Sequence, residues 1–282
     1  MARSHYENFP VASRLLPAAM RPHIAAIYAF ARTADDIADE GNAPAADRLA
    51  RLAAWQGALH KAIAGASAGS DQRDAPIMLA VAHTIRTLDL PVSLFDDLIS
   101  AFGQDTMTTR YDSWTDVLDY CRRSANPVGR LVLRVAGVGP PTLTALDASS
   151  DSLCTALQLT NFWQDFGRDW RAGRLYVPRE VYAHAGATEA QLRDGAPGEP
   201  WARAIDECVR FTHTLFDRGR AVCDGVTGRL RYELRLTWLG GRRILQRVHA
   251  GRHRALVSRP TLGAVDVPAI LWSALLWNAR GD

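Results

Sequence analysis

Arg32-Thr-Ala-Asp35-Asp36-Ile-Ala-Asp39 and Gln158-Leu-Thr-Asn161-Phe-Trp-Gln-Asp165-Phe-Gly-Arg-Asp169 are two acidic stretches set among residues that otherwise read as core. At about 100° per residue, Tyr28, Arg32, Asp35, Asp36 and Asp39 fall within one face of a helix. Gln158, Asn161, Asp165 and Asp169 line up still more tightly on theirs. Stacked carboxylates cost a helix roughly 0.2–0.5 kcal/mol per exposed like-charged pair. The cost rises inside a bundle, where an unpaired charge is not tolerated. Positive charge must therefore accompany them, and the sequence favours Mg²⁺ ions holding a diphosphate.

A single acidic run is ordinarily a solvated helix face. The second stretch departs from that pattern, because its acids share a face with amides while Leu157, Leu159, Phe162, Trp163 and Phe166 occupy much of the rest. A surface helix sets its charge opposite one apolar stripe. This one places hard oxygen ligands on a helix that reads as buried. Mg²⁺ takes one or two carboxylates and completes its shell with water and phosphate oxygens.

Outward from these stretches, apolar residues recur at helical spacing in about 19–40, 45–64, 75–89, 91–109, 114–137, 147–171, 199–224, 228–250 and 266–279. Breaks fall at Gly65 to Asp74, Gly137 to Pro141 and Arg193 to Pro200. There is no series of alternating β-branched segments, no GxGxxG and no P-loop. With 282 residues, 48% of them hydrophobic, the chain can bury a large core. No composition shift marks a linker, so the expectation is one all-α domain over 1–282. Its two acidic helices are expected to meet across a central cavity.

Several function classes drop out. The net charge is only +3, with no basic block interleaved with aromatics, which argues against nucleic acid. Cys121, Cys154, Cys208 and Cys223 lack zinc-site spacing and read as buried, reduced thiols. The eight histidines show no shared helical metal spacing. The N-terminus lacks a signal-peptide pattern, and no apolar run approaches the ~18–20 residues that span a bilayer. A cytoplasmic protein with at most a peripheral membrane contact is expected. The apolar Pro268-Ala-Ile-Leu-Trp-Ser-Ala-Leu-Leu-Trp277 segment reads as a packed terminal helix, with a membrane-facing surface as the alternative. Oligomeric state is not legible.

The chain resembles the squalene/phytoene synthases of the all-α isoprenoid synthase fold, from Phe9-Pro-Val-Ala-Ser-Arg-Leu-Leu-Pro17 through Gly173-Arg174-Leu-Tyr176-Val-Pro178. Tyr28, Arg32, Asp35, Asp36 and Asp39 match that family's first acidic motif. Gln158, Asn161, Asp165 and Asp169 match the second, followed by the GRxYxP segment with Arg174 and Tyr176. The resemblance implies Mg²⁺-dependent ionisation of a prenyl diphosphate, with Asp35, Asp36, Asp39, Asn161, Asp165 and Asp169 as metal ligands. Arg32, and Arg168 or Arg174, would add charge-assisted hydrogen bonds to pyrophosphate.

Three departures narrow the resemblance. Glu7 stands before Phe9 where condensing members carry a phosphate-binding cation. The family's YC-x-x-V-A-G-x-V-G becomes Tyr120-Cys121-Arg122-Arg123-Ser124-Ala125-Asn126-Pro127-Val128-Gly129. The usual Asn-x-x-Arg-Asp becomes Asn161-Phe-Trp-Gln164-Asp165. Glu7 and Arg123 argue against joining two prenyl diphosphates. These segments are similar to the hydroxysqualene synthase branch of bacterial hopanoid synthesis, which starts from presqualene diphosphate. The resemblance then implies rearrangement of a cyclopropylcarbinyl cation and capture by water.

Alternatives remain at single residues and for the whole. Arg122 and Arg123 point at pyrophosphate or pair with surface acids. Tyr28 is catalytic or packs one turn from Arg32, and Trp163 lines the cavity or belongs to the core. The rival functions are a squalene, phytoene or presqualene diphosphate synthase condensing two prenyl diphosphates and, more distantly, a non-catalytic assembly factor. Removing one carboxylate is expected to leave folding intact by relieving repulsion.

Overall fold

The computed structural model describes residues 16–39, 41, 43–65 and 74–277. Glu7, Phe9 and the rest of the N-terminal segment through residue 15 lie outside these. Along the chain run α1 (Arg21–Asp39), α2 (Ala45–Ile63), α3 (Ala75–Leu88), α4 (Ser93–Asp105), α5 (Trp114–Ser124), α6 (Asn126–Val135) and α7 (Thr142–Gln164). Then follow α8 (Phe166–Arg171), α9 (Arg179–His184), α10 (Glu189–Arg193), α11 (Gly198–Gly225), α12 (Gly228–Ala250), a 3₁₀ turn (Arg252–Arg254) and α13 (Asp266–Leu275). An isolated parallel bridge between Arg110 and Leu175 is the only extended pairing among the described residues. The protein is all-α.

Two expected helices are each split in two. A continuous 114–137 helix would place Pro127 in its interior, with no N–H to donate and a ring against the carbonyl of Arg123. The chain stops at Ser124 and restarts at Asn126, so Pro127 falls in the first turn of α6, where its missing N–H costs nothing. The 147–171 helix breaks at Asp165, whose φ of −93° and ψ of 9° leave the helical region. The short α9 and α10 lack the length for a readable period. For α10 a different signal exists: Thr188 and Gln191 form a reciprocal capping box.

The chain divides into two compact units. The first comprises 1–108 and 123–144. Its centre is α1, whose Ile24, Ile27 and Phe30 are fully buried and whose small Ala31, Ala34 and Ala38 admit close neighbours. Phe30 stacks on Trp55 of α2 at 5.6 Å and meets Phe95 of α4 edge-on at the same distance. Arg48 of α2 donates to Ala38 O (2.8 Å) and Gly41 O (2.6 Å), which caps the end of α1 that carries Asp39.

The second unit comprises 109–122 and 145–282. α11 and α12 form its spine, with Phe216 and Trp238 meeting edge-on at 6.2 Å. A Cβ on Gly219 would stand 2.7 Å from Leu153 N, so only glycine lets α11 approach α7 this closely. The cysteines are free thiols. Burial pushes Cys121 and Cys208 well up, and burial with Asp224 pushes Cys223 up to about 12, so none of these three is a poised nucleophile.

α13 is anchored at its start by Asp266, which is 2% exposed. Its carboxylate accepts from Gly263 N (2.7 Å), from Arg243 Nε (3.0 Å) and from Arg247 (2.7 Å). The Gly263 N–H, then the arginines, hold it below the ordinary value of 3.8. A depressed folded-state pKa stabilises the fold above the unfolded value, and that contribution is lost as pH falls through the folded one. Asp266→Asn is therefore expected to melt below the wild type at pH 7, with the gap closing as pH drops below 3.8. A gap constant across that range would show that the ion pairs do not anchor α13.

Candidate active site

The first acidic motif lies on α1 in the first unit. Arg32 reaches forward one turn and bridges two carboxylates, with Nη1 at 3.3 Å from Asp35 Oδ2 and Nη2 at 2.6 Å from Asp36 Oδ1. Asp35 is 9% exposed and belongs to the buried face of α1. Asp36 Oδ1 is itself buried and meets Arg32 as an ion pair outside hydrogen-bond alignment. Asp39 and Tyr28 are partly buried on the same helix.

The second motif crosses the α7–α8 break in the second unit. Asp165 N donates to Asn161 O (2.8 Å) and Asp169 N to Asp165 O (2.9 Å). These i to i−4 bonds carry the helical phase through the break and keep the three side chains in register. Asp165 and Asp169 are buried at 5% and 7%, while Gln158 and Asn161 are partly buried. Of the expected apolar surroundings Leu159, Phe162, Trp163 and Phe166 are core, while Leu157 is only partly buried.

Arginine again supplies the opposing charge. Arg259 pairs closely with Asp165 through Nε, and Arg168 Nη1 lies 3.5 Å from it. Arg259 arrives on a strap, residues 255–260, fastened along α7 and α8. Gln164 Nε2 donates to Pro260 O (2.6 Å) and Arg171 Nη1 to Leu256 O (3.1 Å). A Cβ on Gly167 would collide with Leu256 O and stand 2.6 Å from Leu256 C, so the strap crosses the helix where the side chain is missing. Where the resemblance noted glutamine for arginine at 164, Gln164 holds the strap and Arg259 and Arg168 bring guanidinium to Asp165. Neither Arg259 nor Gly167 was singled out by sequence. The arginine lies 94 residues from its partner and no periodicity links them.

The remaining candidates separate. Arg174 is partly buried, and its backbone N–H donates to Asp169 O (2.7 Å), tying the GRxYxP segment to α8. Tyr176 stacks on Phe162 at 3.8 Å with rings 2° from parallel, and Tyr111 and Tyr120 complete an aromatic cluster. Trp163 is 2% exposed and its indole N–H donates to Thr212 Oγ1 (2.9 Å). Arg123 donates to Ser100 Oγ (2.9 Å) and to Gln104 Oε1 on α4, within the first unit. Arg122 is exposed and pairs with Asp119 at 2.9 Å.

No three His, Cys, Asp or Glu side chains converge among the described residues. Each motif instead offers neighbouring carboxylates with arginine against them. Mg²⁺ needs one or two carboxylates and prefers hard oxygen, so the donor chemistry fits. Buried acids already matched by guanidinium are suited to exchange one cation for another. An arginine displaced from the acid keeps its charge for a phosphate oxygen.

A family model described as squalene/phytoene synthase matches residues 2–266. The chain belongs to the squalene/phytoene synthase family. Among curated relatives in the family, a hydroxysqualene synthase of Zymomonas mobilis is 38% identical over 215 residues, 75% of this chain and 68% of that protein. A hydroxysqualene synthase of Sinorhizobium fredii is 34% identical over 233 residues, 81% of this chain and 74% of that protein. Among solved structures, squalene synthase HpnC from Alicyclobacillus acidocaldarius superimposes with a TM-score of 0.77 at 40% identity, covering 90% of each chain. A dehydrosqualene synthase with bound ligand superimposes at 0.81 with 19% identity, covering 97% of this chain and 92% of that one, a likeness of fold. The all-α isoprenoid synthase expectation is thereby met.

Proposed function

We propose that this protein ionises presqualene diphosphate in a Mg²⁺-dependent step and directs the cation to hydroxysqualene, releasing diphosphate. The observation that carries the reading is the pair of buried, arginine-matched carboxylate sets at the family's two acidic motifs, in a chain whose similar relatives include hydroxysqualene synthases. Asp35, Asp36 and Asp39 on one motif, and Asn161, Asp165 and Asp169 on the other, would hold the metal. Bound Mg²⁺ supplies Lewis-acid neutralisation of charge on the departing oxygens. Arg32, Arg168 and Arg259 would hold diphosphate oxygens by charge-assisted hydrogen bonds. Arg174 is assigned to the same anion. Gln158 orients the second motif's ligands through its place one turn before Asn161. The apolar rings around Tyr176 and Phe162 exclude water until rearrangement is complete. The chain acts as one catalytic domain and works in the cytoplasm.

The test is product identity. Pure protein with presqualene diphosphate and Mg²⁺ is expected to give a C30 alcohol without NADPH, carrying ¹⁸O from labelled water. Farnesyl diphosphate alone is expected to give no C30 or C40 product. Squalene formed only with NADPH and free of ¹⁸O, or efficient condensation of farnesyl diphosphate, would overturn the assignment and promote a condensing synthase.

A further inference from the structure

α13 buries little of itself. Of its ten residues only Asp266 and Ala274 are buried. Val265 before it is 82% exposed, and Leu275 and Trp272 on it are 66% and 63% exposed, with Val267, Leu271 and Leu276 beside them. Contiguous exposed apolar surface of this kind, with an indole in it, marks an interaction site. No helix among the described residues is long and apolar enough to cross a membrane.

The apolar residues do not stand alone. A groove of about 530 Å³ is lined by Trp272, Leu276 and Trp277 on one side and by Arg220, Arg242 and Arg243 from α11 and α12 on the other. Arg220 lies 4.1 Å over the Trp277 ring and Arg242 4.6 Å over Trp238, which aligns the arginine stems with the aromatic floor. The nearby acids are matched: Asp266 by Arg243 and Arg247, Asp224 by Arg235, Asp217 by Arg242 at 3.6 Å. Asp266 faces two arginines, which leaves positive charge in surplus at the rim. Apolar side chains and tryptophan beside arginine are the composition of a helix lying in a lipid interface. There the ring sits at headgroup depth and guanidinium reaches phosphate. A second copy is a poor occupant, because a two-fold contact would set one arginine-lined groove against another.

We propose that α13 and the arginine rim of α11 and α12 form a peripheral docking surface for an anionic lipid bilayer. The helix lies in the plane, with Val267, Leu271, Trp272 and Leu275 at the acyl boundary. Docking holds whatever diphosphate the site takes.

The experiment is sedimentation of the full chain with vesicles of phosphatidylcholine, and of phosphatidylcholine mixed with phosphatidylglycerol. Binding to the anionic vesicles is expected to exceed binding to the neutral ones by at least ~10-fold and to weaken with salt. Trp272→Glu, at an exposed position that leaves the core intact, is expected to lower anionic binding at least ~10-fold with unchanged circular dichroism. Trp272→Phe is expected to keep binding while losing the vesicle-induced blue shift of fluorescence. Three outcomes overturn the proposal: no vesicle binding, binding indifferent to lipid charge, or binding unchanged in Trp272→Glu. So does a wild type that ignores vesicles but dimerises where Trp272→Glu is monomeric, which would give the face to a second copy.

Discussion

Asp35→Asn and Asp165→Asn are each expected to lower turnover of presqualene diphosphate at least ~10²-fold, about 2.7 kcal/mol of barrier. An amide keeps the shape but gives the metal a neutral ligand in place of a charged one. The two variants differ in what they do to folding. Sequence alone suggests that deleting a stacked charge relieves repulsion. The ion pairs reverse that for Asp165, whose loss leaves Arg259 facing a neutral group beneath the strap. Asp165→Asn should cost about 1–3 kcal/mol of stability. Asp35→Asn leaves Arg32 its 2.6 Å contact with Asp36 and should cost less. Melting curves separate these effects from the kinetic one. Full activity in EDTA, or in both variants, would show that these carboxylates are not the metal site.

Gly167→Ala is expected to destabilise the protein by about 1–3 kcal/mol, the usual penalty for forcing volume into a packed contact. The added carbon meets the backbone of Leu256, which has no rotamer to yield. Gly57→Ala is the control, since a Cβ there meets nothing within 4 Å inside α2 and should be neutral or stabilising. The readout is the melting temperature, with a shift of about 2–4 °C per kcal/mol for a chain of this size. Equal melting temperatures for the two variants would mean that the strap lifts off α8 at no cost.

The elements that were legible in the sequence are those whose period runs long enough to be read. The 3.6-residue spacing located α1, α2, α3, α11 and α12 to within about two residues at each end, which is the inherent fuzziness of helix boundaries. Pro127 was in plain view, yet the apolar period on either side of it outweighed the missing N–H. The break at Asp165 has no proline to announce it, a glycine two residues on is tolerated within helices, and the hydrogen bonds that bridge the break preserve the helical phase. For the site, Asp35, Asp36, Asp165 and Asp169 stood out because charge on a buried face demands a reason. What the sequence hid was Arg259, which pairs with Asp165 beside the anticipated Arg168, because a residue 94 positions away leaves no local trace.

The strap also sets an order of events during synthesis. Its fastenings join residues separated by 85, 94 and 96 positions: Arg171 with Leu256, Asp165 with Arg259, and Gln164 with Pro260. Contacts of that span close late, because the entropy of a long loop must be met before any bond repays it. A nascent chain that has made α7 and α8 therefore carries Asp165 without Arg259 until nearly a hundred further residues have left the ribosome. Through that interval Asp165 has only the more distant guanidinium of Arg168, three residues away on α8, against its charge.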